Sequence, residues 1–190
     1  LEGAPLREAE QIRGDETWRV RDVREAPDGS IWFLSVGNGA VYRIAAPTRR
    51  LRFGREVARR RTDRLWQQTC CEAFVGIGGA SSYREFNFAP SGAWAAYDFA
   101  AYRSGGSDAP VGAPAITCAV GADDIELAAE IGAADLPAGG GLRLGLACVL
   151  AWDDGHCDFW AVHHASGSAD FHHPESLVLA LGRTADGGIA

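Results

Sequence analysis

Between Thr69 and Leu150 apolar residues recur at every second position, and a chain with that period is confined to β-sheets. Thr69, Cys71, Ala73, Val75 and Ile77 fall on one side of a strand, and Cys70, Glu72, Phe74 and Gly76 on the other. Tyr83, Glu85 and Asn87 oppose Arg84, Phe86 and Phe88. Over 93–102, Trp94, Ala96, Asp98, Ala100 and Tyr102 oppose Ala93, Ala95, Tyr97, Phe99 and Ala101. Ile125, Leu127, Ala129 and Ile131 share one side, as do Leu142, Leu144, Leu146, Cys148 and Leu150. Runs at 157–164 and 177–181 complete the set. Gly78-Gly79, Pro90-Ser91-Gly92, the segment 137–141 and Asp153-Asp154-Gly155 carry the turn residues between them. Short strands at this spacing, without a clear helical run, predict an antiparallel β-sandwich.

The first quarter of the chain reads differently. Ile31 to Val36 and Ala40 to Ile44 are two strands around Gly37-Asn38-Gly39, preceded by a turn at Ala26-Pro27-Asp28-Gly29. The segment 48–64, TRRLRFGREVARRRTDR, then holds eight arginines and two acids, which predicts a solvated linker with room for a short helix from Gly54 to Arg61. Charge breaks at the same place. Residues 1–64 carry 14 arginines against 10 acids, a net of +4; residues 65–190 carry 4 against 15, a net of −11. The expected division is a partial blade-like segment at 1–46, a linker at 47–64 and a sandwich at 65–190, two pieces of different origin. The acidic larger piece argues against nucleic acid as a partner. No apolar run is long enough to span a membrane. The chain starts at Leu1 and contains no Met, as a processed or incomplete chain would.

Glu72, Glu85 and Asn87 are polar side chains on otherwise apolar strands, so burial obliges them to hydrogen-bond. Sugar hydroxyls can supply such bonds, and Trp66, Trp94, Tyr97 and Trp160 can supply faces for a sugar ring. The same polar trio could equally tie strands together while the tryptophans fill the core. Cys70, Cys71, Cys118, Cys148 and Cys157 include no CxxC pair, so no zinc site is expected; they read as small buried residues, with one disulfide open. Ser166-Gly167-Ser168 has no nucleophile-elbow context, and catalysis is not expected.

Two family resemblances add to this reading. LWQQTCCEAFVG, YREFNFAPSGAWAAYDFAAYR, DFWAVHH and ADFHHPE, in that order, resemble DOMON-like domains, which are related to the family-9 carbohydrate-binding modules. The resemblance covers 65–181 and implies a β-jelly-roll that binds a carbohydrate or another small molecule, with His172 in the family's "F-H" element. Haem, the other ligand of that family, is not expected. The absence of Met removes Met/His ligation and leaves a bis-His arrangement from the pairs 163–164 and 172–173. TWRVRDVREAPDGSIWFLSVGNGAVYRI resembles the last blade of soluble sugar dehydrogenases that use pyrroloquinoline quinone (PQQ). That resemblance would place Arg19 and Arg21 on the anionic quinone, but no catalytic histidine or calcium segment matches. The main module is expected to need no cofactor. The resemblances favour a periplasmic or other extracytoplasmic location. The combined expectation is an all-β, jelly-roll-like sandwich preceded by a β-hairpin fragment resembling a propeller blade.

Overall fold

The computed structural model describes residues 20–25, 31–36, 40–45, 48–54, 59–139, 141–165 and 169–181, with side chains for those between 48 and 180. Two antiparallel sheets face each other. The larger has seven strands: β4 (Cys70–Ile77), β5 (Tyr83–Phe88), β6 (Trp94–Phe99), β7 (Ser107–Asp108), β10 (Leu142–Ala151), β11 (Cys157–Ala161) and β12 (Leu179–Leu181). The smaller has five: β1 (Val20–Glu25), β2 (Ile31–Val36), β3 (Ala40–Ala45), β8 (Ala115–Val120) and β9 (Asp124–Glu130). The all-β sandwich expected from the alternation is what the chain forms. The alternation also sets the core. Cys71, Ala73, Val75, Phe86, Phe88, Trp94, Ala96 and the even-numbered side of β10 meet Ile125, Leu127 and Ala129 between the sheets.

The sequence divides at the arginine-rich stretch, but the hydrogen bonding does not. β3 pairs with β9 along its whole length, Ala40 opposite Ala129 to Ala45 opposite Asp124. The strands before Pro47 therefore share a sheet with the module after Leu65. The arginine-rich stretch itself, expected as a solvated linker, is seated on the sandwich. Thr48 is buried and donates to the carbonyls of Gly121 and Ala122 at 2.6 and 2.9 Å. Leu51 is buried in the core and bridges to Trp152, and Arg61 lies 4.8 Å over the Trp94 ring. The backbone at Arg59–Arg61 is not helical, and 55–58 lie outside the described residues. The turns at 26–29 and 37–39 also lie outside them.

The outer face of the large sheet is covered too. β10 is long enough to take two partners on one edge: β12 along Leu142–Leu144 and β11 along Ala147–Ala151. The chain leaves that edge after β11 and returns to it at β12. The stretch between crosses the outer face, packing Phe171 and Leu177 onto Phe74, Tyr83, Ala147 and Val149. Gly145, on the outer side of β10, makes this approach feasible. A Cβ there would stand 2.9 Å from the Ser176 carbonyl oxygen, closer than carbon and oxygen pack.

Gly145→Ala should therefore cost about 1–3 kcal/mol by overpacking. A lowered Tm in a thermal melt is the expected result; an unchanged Tm would mean that the crossing segment does not rest on the sheet.

Candidate functional site

On the outer face a cleft of about 490 Å³ opens between the large sheet and the crossing segment. Strand parity decides what it contains. Glu72 on β4, Glu85 on β5 and Tyr97 and Phe99 on β6 all point to the outer side, opposite the inter-sheet core. Val149 comes from β10 and Phe159 from β11, where the two are directly paired. Trp66 reaches the rim from a single 3₁₀ turn, Leu65–Gln67, while Arg103, Phe171 and His172 close the other side. Trp66 and Phe159 remain 44% and 49% exposed, so two aromatic faces stand open to solvent. Trp66 meets Tyr97 edge to face, with ring centroids 6.5 Å apart.

Glu72 and Glu85 form the floor, each only 4% exposed. In the β4–β5 register Glu72 lies opposite Asn87, which makes Glu85 its diagonal neighbour. Asn87 is wholly buried and donates from Nδ2 to Glu85 Oε1 at 2.6 Å. The other carboxylate oxygen of Glu85 lies 3.8 Å from His172 Nε2. His172 Nδ1 lies 2.8 Å from the Tyr83 hydroxyl, which also accepts the Arg103 backbone N–H at 3.2 Å. A neutral His172 that accepts the Tyr83 proton at Nδ1 carries its own proton on Nε2, facing Glu85. Arg103 holds a left-handed backbone, φ 50°, a strained conformation for a residue with a side chain. Its guanidinium turns outward to Asp170 Oδ1 at 2.8 Å, and Asp170 also accepts from the Tyr102 hydroxyl.

The electrostatics follow from burial. Desolvation lifts Glu72 well above the usual carboxyl range, and the neighbouring Glu85 charge pushes in the same direction. Glu85 is lifted by burial, against the opposing effects of the Asn87 hydrogen bond and Arg103. Burial, with Arg103 repulsion behind it, lowers His172 to about 4, so this imidazole is neutral at pH 7.

Five of the eight ligand-site residues expected from sequence line the cleft: Trp66, Glu72, Glu85, Tyr97 and His172. Asn87 lies beneath it as the support of Glu85. Trp94 does not reach it. As an even-numbered residue of β6 its side chain enters the inter-sheet core, 6% exposed, and its Nε1 donates to the Arg59 carbonyl at 3.4 Å. Trp160 packs against the same core and lines a separate hollow of about 350 Å³ along β11. Phe99, Arg103, Phe159 and Phe171 were not among the expected residues. Phe99 shares the Tyr97 side of β6 and was visible in the alternation. Arg103 and Phe171 arrive through turns, which carry no such signal. Of the two arginines expected at a quinone, Arg19 lies outside the described residues, and Arg21 sits at a register shift of β1 between Val20 and Asp22. The five cysteines are free thiols, with Cys71 and Cys148 facing each other at 3.6 Å.

Comparison with solved structures supports the architecture. A "putative carbohydrate-binding protein" from Bacteroides uniformis ATCC 8492 superimposes with a TM-score of 0.54 at 17% identity, covering 76% of this chain and 74% of that one. A carbohydrate binding module of family 9 from Caldicellulosiruptor kristjanssonii, in complex with cellotriose, gives a TM-score of 0.42 at 13% identity, over 83% and 78% of the two chains. No family model and no curated protein matches the sequence. At these identities the first likeness shows a shared fold.

The buried acids should reveal themselves in stability against pH. A carboxyl whose pKa is raised on folding stabilises the protein fully below its unfolded value and loses that contribution as pH rises through the folded one. His172 works oppositely: its contribution is full above about 6.5 and is lost as pH falls towards about 4. Glu72→Gln should raise Tm at pH 7 and converge on the parent protein near pH 4. A Glu72→Gln variant less stable than the parent at pH 7 would contradict the raised carboxyl.

Proposed function

We propose that the chain is a noncatalytic ligand-binding module that takes a saccharide in the outer-face cleft. The observation that carries this reading is the cleft's composition. Open aromatic faces at Trp66 and Phe159 surround a floor of hydrogen-bonding groups, Glu72 and Glu85. Sugar rings present both surfaces that such a site needs, apolar C–H faces for the aromatic rings and hydroxyls for the floor. The volume of about 490 Å³ falls in the range of small-molecule sites. The fold shared with the Bacteroides uniformis protein, and that protein's description, support the same ligand class. So does the DOMON-like resemblance of 65–181.

A catalytic reading has less to stand on. The floor acids are diagonal neighbours, and Glu85 is tied to Asn87 and flanked by the neutral His172. A pair of carboxyls acting on a glycosidic bond must flank it from two sides.

The test is calorimetric titration of the full chain with glucose, cellobiose and xylobiose, with haem and PQQ as controls. Saccharide binding in the micromolar to millimolar range is expected, weakened roughly tenfold (about 1.4 kcal/mol) by Trp66→Ala. Because Trp66 is half open, that variant should melt close to the parent. Trp94→Ala should instead lose about 3–5 kcal/mol of stability as a core truncation. Tighter binding of haem or quinone than of any saccharide would replace this reading.

A further inference from the structure

All five cysteines lie among the described residues and carry free thiols. Among them Cys71 and Cys148 meet, with their Sγ atoms 3.6 Å apart. The register puts Cys71 of β4 directly opposite Cys148 of β10. Backbone hydrogen bonding decides what kind of pair this is. Near Cys148 the even-numbered residues of β10 turn their backbone groups to β11, as where the Leu146 carbonyl accepts the Val162 N–H at 3.0 Å. The odd-numbered ones turn to β4, as where the Ala151 N–H reaches Thr69 Oγ1 at 3.2 Å. Cys71 and Cys148 are therefore a non-hydrogen-bonded pair, the kind with the closer side chains and Cα atoms about 4.5 Å apart. That spacing lies within the roughly 4.4–6.8 Å range across which a disulfide forms. The other three cysteines lack this geometry. Cys70 and Cys157 belong to the outer side of the large sheet, on strands that β10 separates. Cys118 is on β8 in the other sheet, and facing sheets stack roughly 10 Å apart, beyond the Cα limit of about 7 Å for a disulfide.

We propose that Cys71 and Cys148 are a disulfide site, bonded while the chain folds in the presence of a disulfide donor and enclosed once the sandwich closes. Such a bond requires nothing of the saccharide reading above. Both residues face the inter-sheet core, 1% and 2% exposed, so an oxidant in solution reaches them readily only before the sheets pack. Burial and the contact with Cys148 also push the Cys71 thiol up, which keeps it out of the reactive thiolate form afterwards. In the folding chain the thiolate of one cysteine attacks the donor's disulfide, forms a mixed disulfide and expels one donor thiol. The thiolate of the second cysteine then attacks the protein sulfur of that mixed disulfide and expels the other donor thiol. The two cysteines give up two electrons and two protons, and the donor disulfide takes them up as two thiols. The bond clamps β10 to β4 directly behind the cleft, because Glu72 and Val149, the next residues along the two strands, line it.

The experiment is cell-free synthesis of the full chain with oxidised glutathione or with a reducing phosphine, followed by denaturation and alkylation of free thiols. Mass spectrometry then separates internal bonds from glutathione adducts. One internal bond is expected from synthesis with oxidised glutathione, and none from synthesis with reductant. Cys71→Ala and Cys148→Ala should each abolish it, whereas Cys70→Ala, Cys118→Ala and Cys157→Ala should each keep it. The bonded form should melt several degrees above the reduced form, because the cross-link restricts the unfolded chain. That gap should vanish in Cys148→Ala. Folded, reduced protein should acquire the bond at least tenfold more slowly than the chain under synthesis. No internal bond after synthesis with oxidised glutathione, or one that survives both Cys71→Ala and Cys148→Ala, would overturn the site. Equally fast oxidation of the folded protein would overturn its formation during folding.

Discussion

The cleft depends on the pairing of β10. Its ten residues pair with β4 on one side and with both β11 and β12 on the other. Because those two short strands share one edge, the chain between them must travel away from the sheet and come back. It crosses the outer face, and the side of the sheet that would otherwise face water becomes a second apolar surface. Phe171 and Leu177 seal part of it. Where the seal stops, between Trp66 and His172, the odd-numbered residues of β5 and β6 and the even-numbered residues of β4 line an opening. Gly145 is the concession that this crossing demands of the strand.

Burial then determines the chemistry of that opening. A fold gains little from two neighbouring carboxyls in a place this dry, since each must be held neutral or suffer the cost of an enclosed charge. Asn87 and the Tyr83–His172 pair fix the geometry around Glu85. Arg103 accepts a strained backbone, and its N–H reaches the Tyr83 hydroxyl. Polar groups held on the floor of an aromatic cleft are the arrangement on which the proposed binding site rests.

Much of this was legible in the sequence, because strand period is a local property. The alternation located β4, β5, β6, β9 and β10 to within a few residues, and it singled out Glu72, Glu85 and Tyr97. It also held an unused constraint. Trp94 and Tyr97 have opposite parity on β6, so a single cleft cannot contain both, and choosing Tyr97 excludes Trp94. The pairing of β3 with β9 was not legible. It joins positions 79 to 89 residues apart, and the charge break pointed the other way. β8 was missed because three of its four exposed residues, Ala115, Ala119 and Val120, are apolar like its inward ones and blur the period. Arg103 and Phe171 were missed because turns place them, and β10 dictates where the crossing turns go.

The most direct test of the account is the set of tryptophan indole N–H resonances in a ¹⁵N-labelled sample during titration with saccharide. Trp66 lies at the cleft rim, Trp94 in the core and Trp160 along β11. The account predicts that the Trp66 indole signal moves with saturating dependence on ligand while those of Trp94 and Trp160 stay in place. Movement of Trp160 with Trp66 unchanged would place the ligand in the hollow along β11 and contradict the assignment of the outer-face cleft.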